Sequence, residues 1–155
     1  MLVVLRGNSG SGKSTVARLL QEALGWPTAV LQQDHFRRVI YHEREQESMA
    51  HAELIELAAT HCLDRGDNVV LEGIFNADRY ASMLERISQR SDDARFFAFD
   101  LSFEETVRRH ATRPQAAEFT VANMAEWYHG WQPLPFVVEQ RITVKEAPDE
   151  VLGRK

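Results

Sequence analysis

Nine consecutive residues near the start of the chain have the types and spacing of a phosphate-binding loop. They are Gly7, Asn8, Ser9, Gly10, Ser11, Gly12, Lys13, Ser14 and Thr15, and the first eight of them follow the pattern G-x-x-x-x-G-K-[ST]. Glycines let backbone N–H groups turn inward around phosphates, and a helix N-terminus adds partial positive charge. In such a loop, Lys13 reaches the β- and γ-phosphates and the Ser14 hydroxyl ligates Mg²⁺. The loop therefore predicts a site for a nucleotide and Mg²⁺.

The segments on both sides of the loop support this interpretation. The apolar run Leu2–Leu5 precedes the loop and is typical of a buried strand. A helical apolar periodicity follows it, from Val16 to Leu24. Strand, glycine-rich loop and helix form the context in which the pattern binds phosphate, whereas an isolated match would indicate only a flexible turn beside a lysine.

Two carboxylates follow predicted strands and could act on the same phosphates. Asp34 comes just after the apolar run Thr28–Leu31, and Glu72 ends the run that starts at Asn68. Ligands of open α/β sheets bind beyond the C-terminal ends of the strands, so both side chains should face the phosphates. Asp34 could orient and deprotonate an acceptor hydroxyl, and Glu72 could hold Mg²⁺ through water, or the two roles could be exchanged. Asp34 also suits a helix N-cap, Glu72 also suits a solvated strand end, and Gly73 would let backbone approach a ligand.

Arginines supply candidate clamps for the transferred phosphoryl group. Arg37 and Arg38 lie within one helical turn of the first carboxylate, and Arg108, Arg109 and Arg113 form a second cluster. Guanidinium groups bind phosphate oxygens bidentately. Arg109 and Arg113 share a helix face because they are four residues apart, while Arg108 points elsewhere and is interpreted as solvated.

The remaining pattern alternates short apolar runs with helical periodicity, which indicates an α/β protein. Further elements are expected as a helix from near Ser48 to Gly66, a helix capped by Asn76, a strand over Phe96–Phe99, a helix opened by a capping box at Ser102, and a strand over Ile142–Val144. The histidines form no recognisable metal-ligand motif. The aromatic residues Trp127, Tyr128 and Trp131 could stack on a planar substrate or form a small core of their own.

Length and composition indicate one domain over residues 1–155. The formal net charge of −5 argues against a general nucleic-acid binder. No apolar run is long enough for a membrane span, and the single cysteine, Cys62, is interpreted as a core residue. The expected location is the cytoplasm, and the expected assembly is a monomer or homodimer.

The phosphate-binding loop, Asp34-x-x-Arg37, Leu71-Glu72-Gly73 and the Arg109–Arg113 segment together resemble the small P-loop kinases. This group includes chloramphenicol phosphotransferase, the zeta-toxin kinases, the kinase domain of polynucleotide kinase and gluconate kinase. The chain looks most similar to small bacterial ATP-binding kinases described as uridine-kinase-like.

The resemblance implies a three-layer α/β/α P-loop fold with a five-stranded parallel sheet in the order 2-3-1-4-5. It also implies ATP with Mg²⁺, an acceptor-side role for Asp34, and an arginine-bearing lid over approximately residues 110–135. By analogy with adenylate kinase relatives, adenine would lie between Arg113 and the Lys145–Pro148 loop.

The activity expected on these grounds is transfer of the γ-phosphoryl group of ATP to a hydroxyl of a nucleoside, sugar-like or antibiotic-like acceptor. A polynucleotide 5′-kinase is the alternative among enzymes, and the acidic charge disfavours it. A non-catalytic nucleotide-binding switch or sensor is the alternative from another class, although Asp34 has no obvious purpose there.

Overall fold

The computed structural model of the protein describes residues 1–44, 49–112, 120–128, 130–143 and 153. Its centre is one five-stranded sheet in which every pair of neighbours is parallel, in the order β2-β3-β1-β4-β5. The strands are β1 (Leu2–Gly7), β2 (Thr28–Gln32), β3 (Asn68–Gly73), β4 (Ala94–Phe99) and β5 (Gln140–Ile142). The predicted parallel sheet and its strand order are confirmed.

Helices connect the strands and cover the sheet. They are α1 (Lys13–Leu24), α2 (Gln33–His35), α3 (Ala50–Asp64), α4 (Ala77–Ser88), α5 (Phe103–Ala111) and α6 (Val121–Trp127). A π-helical turn, Phe36–Ile40, continues directly from α2. Among the described residues, no helix combines the length and apolar character needed to cross a membrane.

The two faces of the sheet bury separate apolar clusters. Leu2 and Val4 point to the face covered by α3 and α4, where Tyr80 and Ile87 are fully buried. Val3 and Leu5 point to the opposite face and pack with Val16 of α1. Side chains alternate along β1, so this strand contributes to both clusters and is the centre of the core. The loop that follows β1 is therefore held on the central strand of the sheet.

Side-chain caps mark the starts of two helices, α4 and α5. Asn76 caps α4 by accepting a hydrogen bond from the Asp78 backbone N–H, as its position predicts. Ser102 caps α5 by accepting from the Glu105 N–H. The reciprocal half of that capping box is missing because the Glu105 carboxylate pairs with two arginines instead, and charge-assisted bonds are the stronger choice.

Two element boundaries differ from the sequence expectation. The last strand occupies Gln140–Ile142 rather than Ile142–Val144, and Val144 lies outside the described residues. Helix α3 begins at Ala50, with Ser48 outside the described residues, and it ends at Asp64. Boundaries shift because propensity is weak at element ends, where tertiary hydrogen bonds decide.

Candidate functional site: a phosphate-binding loop with two carboxylates at one sheet edge

The phosphate-binding loop leaves the C-terminal end of β1 and enters α1 at Lys13. Gly10, at the middle of the loop, has a backbone φ of 79°, which favours glycine. A Cβ atom there would lie 2.5 Å from the Thr106 carbonyl oxygen of α5. Only glycine permits this approach, so α5 packs directly against the loop and limits its movement.

The Lys13 ammonium lies within the loop, and the residue is buried. Its Nζ donates to the Asn8 carbonyl oxygen at 2.9 Å and to Ser11 Oγ at 3.3 Å. The charge therefore sits beside the loop backbone that is predicted to surround phosphates. Phosphate oxygens entering the loop would compete for these donors, since charged acceptors bind an ammonium more strongly than a carbonyl does.

Ser14 and Glu72, the two predicted Mg²⁺-side residues, are brought together by the sheet. The Ser14 hydroxyl donates to Glu72 Oε1 at 2.8 Å, and the Gln32 amide donates to the same oxygen at 3.0 Å. Glu72 is a buried carboxylate placed between Leu5 and Gln32 by strand pairing. A hydroxyl and a carboxylate are oxygen ligands of the kind that Mg²⁺ prefers, so the donor set fits this cation.

Asp34 lies in α2, two residues beyond the end of β2, and its side chain is 63% exposed. Its Oδ1 accepts from Arg37 Nη2 at 3.3 Å and lies 2.7 Å from Arg38 Nε. Both arginines belong to the π-helical turn that follows. Asp34 does not cap α2 with its side chain, because it lies inside the helix. The candidate base and its arginines thus form one local, solvent-exposed group.

Gln33 is a site residue that the sequence analysis missed. It is buried, and its Oε1 accepts from the Ile74 N–H at 2.8 Å and the Phe75 N–H at 3.3 Å. A Cβ on Gly73 would lie 2.5 Å from that oxygen. Gly73 therefore makes room for a side chain of the same protein, whereas the sequence suggested that it makes room for a ligand. No sequence pattern distinguishes Gln33 from an ordinary polar loop residue.

Arg6 is the second missed residue and lies directly before the loop. It is buried, and its Nη1 bonds both carboxylate oxygens of Glu139 at 2.7 Å. Its Nε donates to the Phe75 carbonyl at 3.1 Å and its Nη2 to the Gln132 carbonyl at 3.0 Å. One guanidinium thus joins β1, the β3–α4 loop and the segment before β5. The signal available in the sequence was an arginine at the end of the apolar run of β1, just before the phosphate-binding loop.

Arg109 reaches the phosphate-binding loop from α5. Its Nη1 donates to the Ser11 carbonyl oxygen at 3.1 Å, and its Nε donates to Glu105 Oε1 at 2.7 Å. Hydrogen bonds from Arg108 and Arg109 lower the pKa of the Glu105 carboxyl to about 2. The ion pairs therefore persist at neutral pH, and Glu105 holds Arg109 beside the loop. Arg108 is largely exposed, as expected, but it also binds Glu105.

The predicted lid over residues 110–135 is described only in part. Arg113 lies outside the described residues, as does the Lys145–Pro148 loop, so the predicted adenine side stays a prediction. At the far end of the segment, Leu134 is buried against the α3–α4 face of the sheet. Tyr128 donates to the Leu101 carbonyl oxygen at 3.1 Å. The lid itself stays a prediction. The contacts of Tyr128 and Leu134 attach the described part of the segment to the rest of the protein.

His51 and Cys62 have titratable side chains, and the structure gives each a structural environment. His51 is fully buried, with Nδ1 hydrogen-bonded to the Glu43 carboxylate and Nε2 2.8 Å from the Tyr80 hydroxyl. Burial raises the pKa of the Cys62 thiol, which makes the thiolate scarcer and the sulfur a poorer nucleophile. Within the described part of the chain, no three His, Cys, Asp or Glu side chains form a metal-binding group.

Comparison with known families matches residues 2–134 to the family described as AAA domain. Comparison with curated proteins gives no match. Among solved structures, the APS kinase CysC of Mycobacterium tuberculosis in complex with AMPPNP and APS is 25% identical with a TM-score of 0.73, covering 98% of this chain and 92% of that one. A gluconokinase from Sinorhizobium meliloti 1021 is 19% identical with a TM-score of 0.61, covering 97% and 86%.

A chain of the Pnkp1/Rnl/Hen1 complex is 26% identical with a TM-score of 0.58, covering 77% of this chain and 42% of that one. The predicted resemblance to the small P-loop kinases is confirmed by these likenesses together.

Proposed function

Since the chain belongs to the AAA domain family and has the fold of the small P-loop kinases, we propose that it is an ATP-dependent kinase. It would transfer the γ-phosphoryl group of ATP to a hydroxyl of a nucleoside, sugar-like or antibiotic-like small molecule. The observation that carries the proposal is the meeting of Lys13, Ser14 and Glu72 at one sheet edge, with an ammonium inside the loop and a buried carboxylate on the serine hydroxyl.

In the proposed step, an acceptor oxygen forms a bond to the γ-phosphorus while the bond to the β–γ bridging oxygen breaks. ADP leaves with that electron pair, and the acceptor proton passes to the Asp34 carboxylate. The exposed position of Asp34 leaves it accessible to an incoming molecule. Arg37 and Arg38 would then help to hold the Asp34 carboxylate in place through their ion pairs with its Oδ1.

Ser14 and, through water, Glu72 are the residues that would hold Mg²⁺, whose charge would offset that of the phosphates. The Ser14–Glu72 hydrogen bond supports this assignment because it already directs both oxygens to one place.

Arg109 is proposed to add positive charge beside the transferred group. Its contact with the Ser11 carbonyl places a guanidinium at the loop, and Arg37 and Arg113 are the further candidates carried from the sequence. Positive groups fixed where charge develops lower the barrier without reorganising during the reaction.

A polynucleotide 5′-kinase is the second candidate, and the likeness to a chain of the Pnkp1/Rnl/Hen1 complex favours it. The net charge of −5 disfavours it, because binding to nucleic acid needs a basic surface. A switch or sensor without catalysis is disfavoured because Asp34 has no obvious purpose there. The proposal places the protein in the cytoplasm as a monomer or homodimer acting on small molecules.

The test is a screen for ADP formation from ATP and Mg²⁺ with nucleosides, sugars, aminoglycosides and a 5′-hydroxyl oligonucleotide. Lys13→Ala should lower turnover by about 10²- to 10³-fold, since one charged donor to the transferred group is lost. Arg18→Ala is the matched control, because Arg18 lies on the same helix in an exposed pair with Glu22. Wild-type turnover in Lys13→Ala would refute the assignment, and transfer confined to the oligonucleotide would establish the second candidate.

A further inference from the structure

Gln33 lies between the last residue of β2 and the candidate base Asp34, at the start of α2. Only 4% of Gln33 is exposed, whereas the Asp34 side chain is 63% exposed. The proposed transfer step makes no use of this buried amide. Buried polar side chains in folded proteins are hydrogen-bonded and often make one local structure rigid, so the partners of Gln33 indicate what it holds.

The Gln33 side chain joins the start of α2 to the loop that follows β3. Its Oε1 accepts from the Ile74 N–H at 2.8 Å and from the Phe75 N–H at 3.3 Å. A Cβ atom on Gly73 would lie 2.5 Å from that oxygen and 2.6 Å from the Gln33 Cβ, so the side chain packs directly on the Gly73 backbone. Strand pairing between β2 and β3 ends one residue before Gln33. The side chain therefore extends the connection between the two elements beyond the paired strands.

Phe75, one of the two residues that Gln33 binds, has a strained backbone. Its φ is 42°, in the left-handed region that residues other than glycine rarely adopt, and the residue is fully buried. Gln33 accepts from its N–H, and Arg6 Nε donates to its carbonyl oxygen at 3.1 Å. Strained backbone persists only where its surroundings over-determine it, and it clusters at functional sites. One strained residue is thus held both by the residue before Asp34 and by the residue before Gly7, where the phosphate-binding loop begins.

The ion pairs of Asp34 do not supply such a connection. Both arginines that it contacts, Arg37 and Arg38, lie on the π-helical turn that continues from α2, so they would move together with Asp34. The hydrogen bonds of Gln33 run instead to the loop that directly follows Glu72 and β3. Beyond the paired strands, the buried neighbour and not the exposed ion pairs links the candidate base to the metal side of the site.

From these contacts we infer that Gln33 is a positioning residue, which fixes the start of α2 and thereby holds Asp34 in place relative to the phosphate-binding loop. The inference rests on the proposed kinase function with Asp34 as the base. The acceptor oxygen, the γ-phosphorus and the base must be aligned for transfer, and a displacement of about 1 Å can lower a rate about 10²-fold. Loss of the Gln33 hydrogen bonds should therefore lower turnover, whereas nucleotide binding through the loop and Lys13 should be retained.

The first test removes the oxygen of Gln33 that accepts the two hydrogen bonds. Gln33→Met keeps the side-chain length, and the acceptor used is the one with the highest turnover in the screen for ADP formation. The kcat should fall about 10- to 10²-fold, with the KM for ATP and the affinity for a non-hydrolysable ATP analogue unchanged. Gln21→Met is the matched control and should keep the wild-type kcat, because the Gln21 amide also binds backbone, at the Thr28 carbonyl 3.0 Å away, but at the opposite end of β2. All rates are measured well below the thermal midpoint of each variant.

The second test asks whether Gln33 acts through Asp34. Gln33→Met is combined with Asp34→Asn, and the loss of kcat is compared with the loss in the wild-type background. Because the base is already absent, the second substitution should lower kcat by less than about threefold. A purely structural role would give the same loss in both backgrounds. Equal losses would overturn the inference, as would an unchanged kcat in Gln33→Met alone.

Hydrogen exchange supplies a readout that does not depend on turnover. Gln33→Met should speed amide exchange over residues 33–41 about tenfold, the equivalent of one hydrogen bond, while exchange in α1 stays unchanged. Equal exchange in the variant and the wild type would overturn the inference. If no acceptor yields ADP but this segment exchanges faster, the kinase proposal fails while Gln33 still holds the Asp34 segment in place. If Gln33→Met transfers phosphate at the wild-type rate and Lys13→Ala does not, the kinase proposal stands and the positioning role fails.

Discussion

The two carboxylates of the candidate site lie at the same sheet edge in opposite environments. Glu72 is 6% exposed and is bound by the neutral donors of Ser14 and Gln32, each on a different element. Asp34 has a side chain that is 63% exposed and pairs with two arginines on its own helical segment. The proposed nucleotide side is therefore held by contacts between several elements, whereas the proposed acceptor side consists of exposed groups that can exchange partners at little cost.

This difference suits the two ligands of a kinase. Phosphates are common to every cycle, so a rigid loop and a buried carboxylate can be preorganised for them. An acceptor must enter, be oriented and leave, which favours exposed groups whose ion pairs contribute little to stability. The comparison predicts that variants on the acceptor side change catalysis while sparing the fold.

The largest expected effect tests the acceptor side. Asp34→Asn should lower kcat by about 10²- to 10⁴-fold while ATP binding stays near normal, because a general base is lost and the phosphate contacts are not. Steady-state kinetics and calorimetry with a nucleotide analogue measure the two quantities. Asp64→Asn is a matched control, since Asp64 also pairs with a surface arginine at a helix.

Loss of nucleotide binding in Asp34→Asn, with turnover kept at saturating ATP, would move Asp34 to the nucleotide side. The contrast between the two carboxylates would then be one of exposure alone, and Glu72 would have to be tested as the base.

Sequence reasoning succeeded where one residue type is required by local geometry. Lys13 and the caps Asn76 and Ser102 all contact residues within five positions of themselves, so their patterns can be recognised in the sequence. The strand order followed from the family resemblance that the loop supports.

The contacts that the sequence did not predict join residues that are far apart in the chain. Arg6 bonds Glu139 across 133 positions, and Gln33 bonds Ile74 across 41, so neither partner can be found from local spacing. The same limit applies to Gly73, since the Gln33 and Phe75 side chains leave no room for a Cβ atom there. Residues that hold segments together around a site reveal themselves through burial and partners, which the sequence alone does not give.

The next-largest effect tests the buried ion pair between Arg6 and Glu139, which joins three segments beside the candidate site. Arg6→Met should destabilise the protein by about 3–5 kcal/mol, because Glu139 would be left charged and buried without its partner. Denaturant unfolding measures the loss, and Arg6→Met combined with Glu139→Met should recover much of it. Arg86→Met, which breaks the exposed pair with Glu56, is the control and should change stability little. If Arg6→Met and Arg86→Met lowered the free energy of unfolding equally, the buried pair would contribute no more to stability than the exposed pair does.

The smallest effect concerns the arginine-bound carboxylate beside the loop. Hydrogen bonds from Arg108 and Arg109 lower the pKa of Glu105 to about 2, below its ordinary value of 4.5. A carboxyl with a lowered folded-state pKa contributes stability above its unfolded-state pKa and loses it as the pH falls through the folded-state pKa. Glu105→Gln should therefore be less stable than wild type at neutral pH, with the difference in thermal midpoint shrinking between pH 4.5 and about 2. Glu104→Gln, an exposed neighbour in the same helical turn, separates this ion-pair effect from that of the helix N-terminus. A difference in thermal midpoint that stays constant over that pH range would mean that Glu105 holds Arg109 by packing rather than by charge. Arg109 would then be positioned less rigidly beside the loop than Glu72 is.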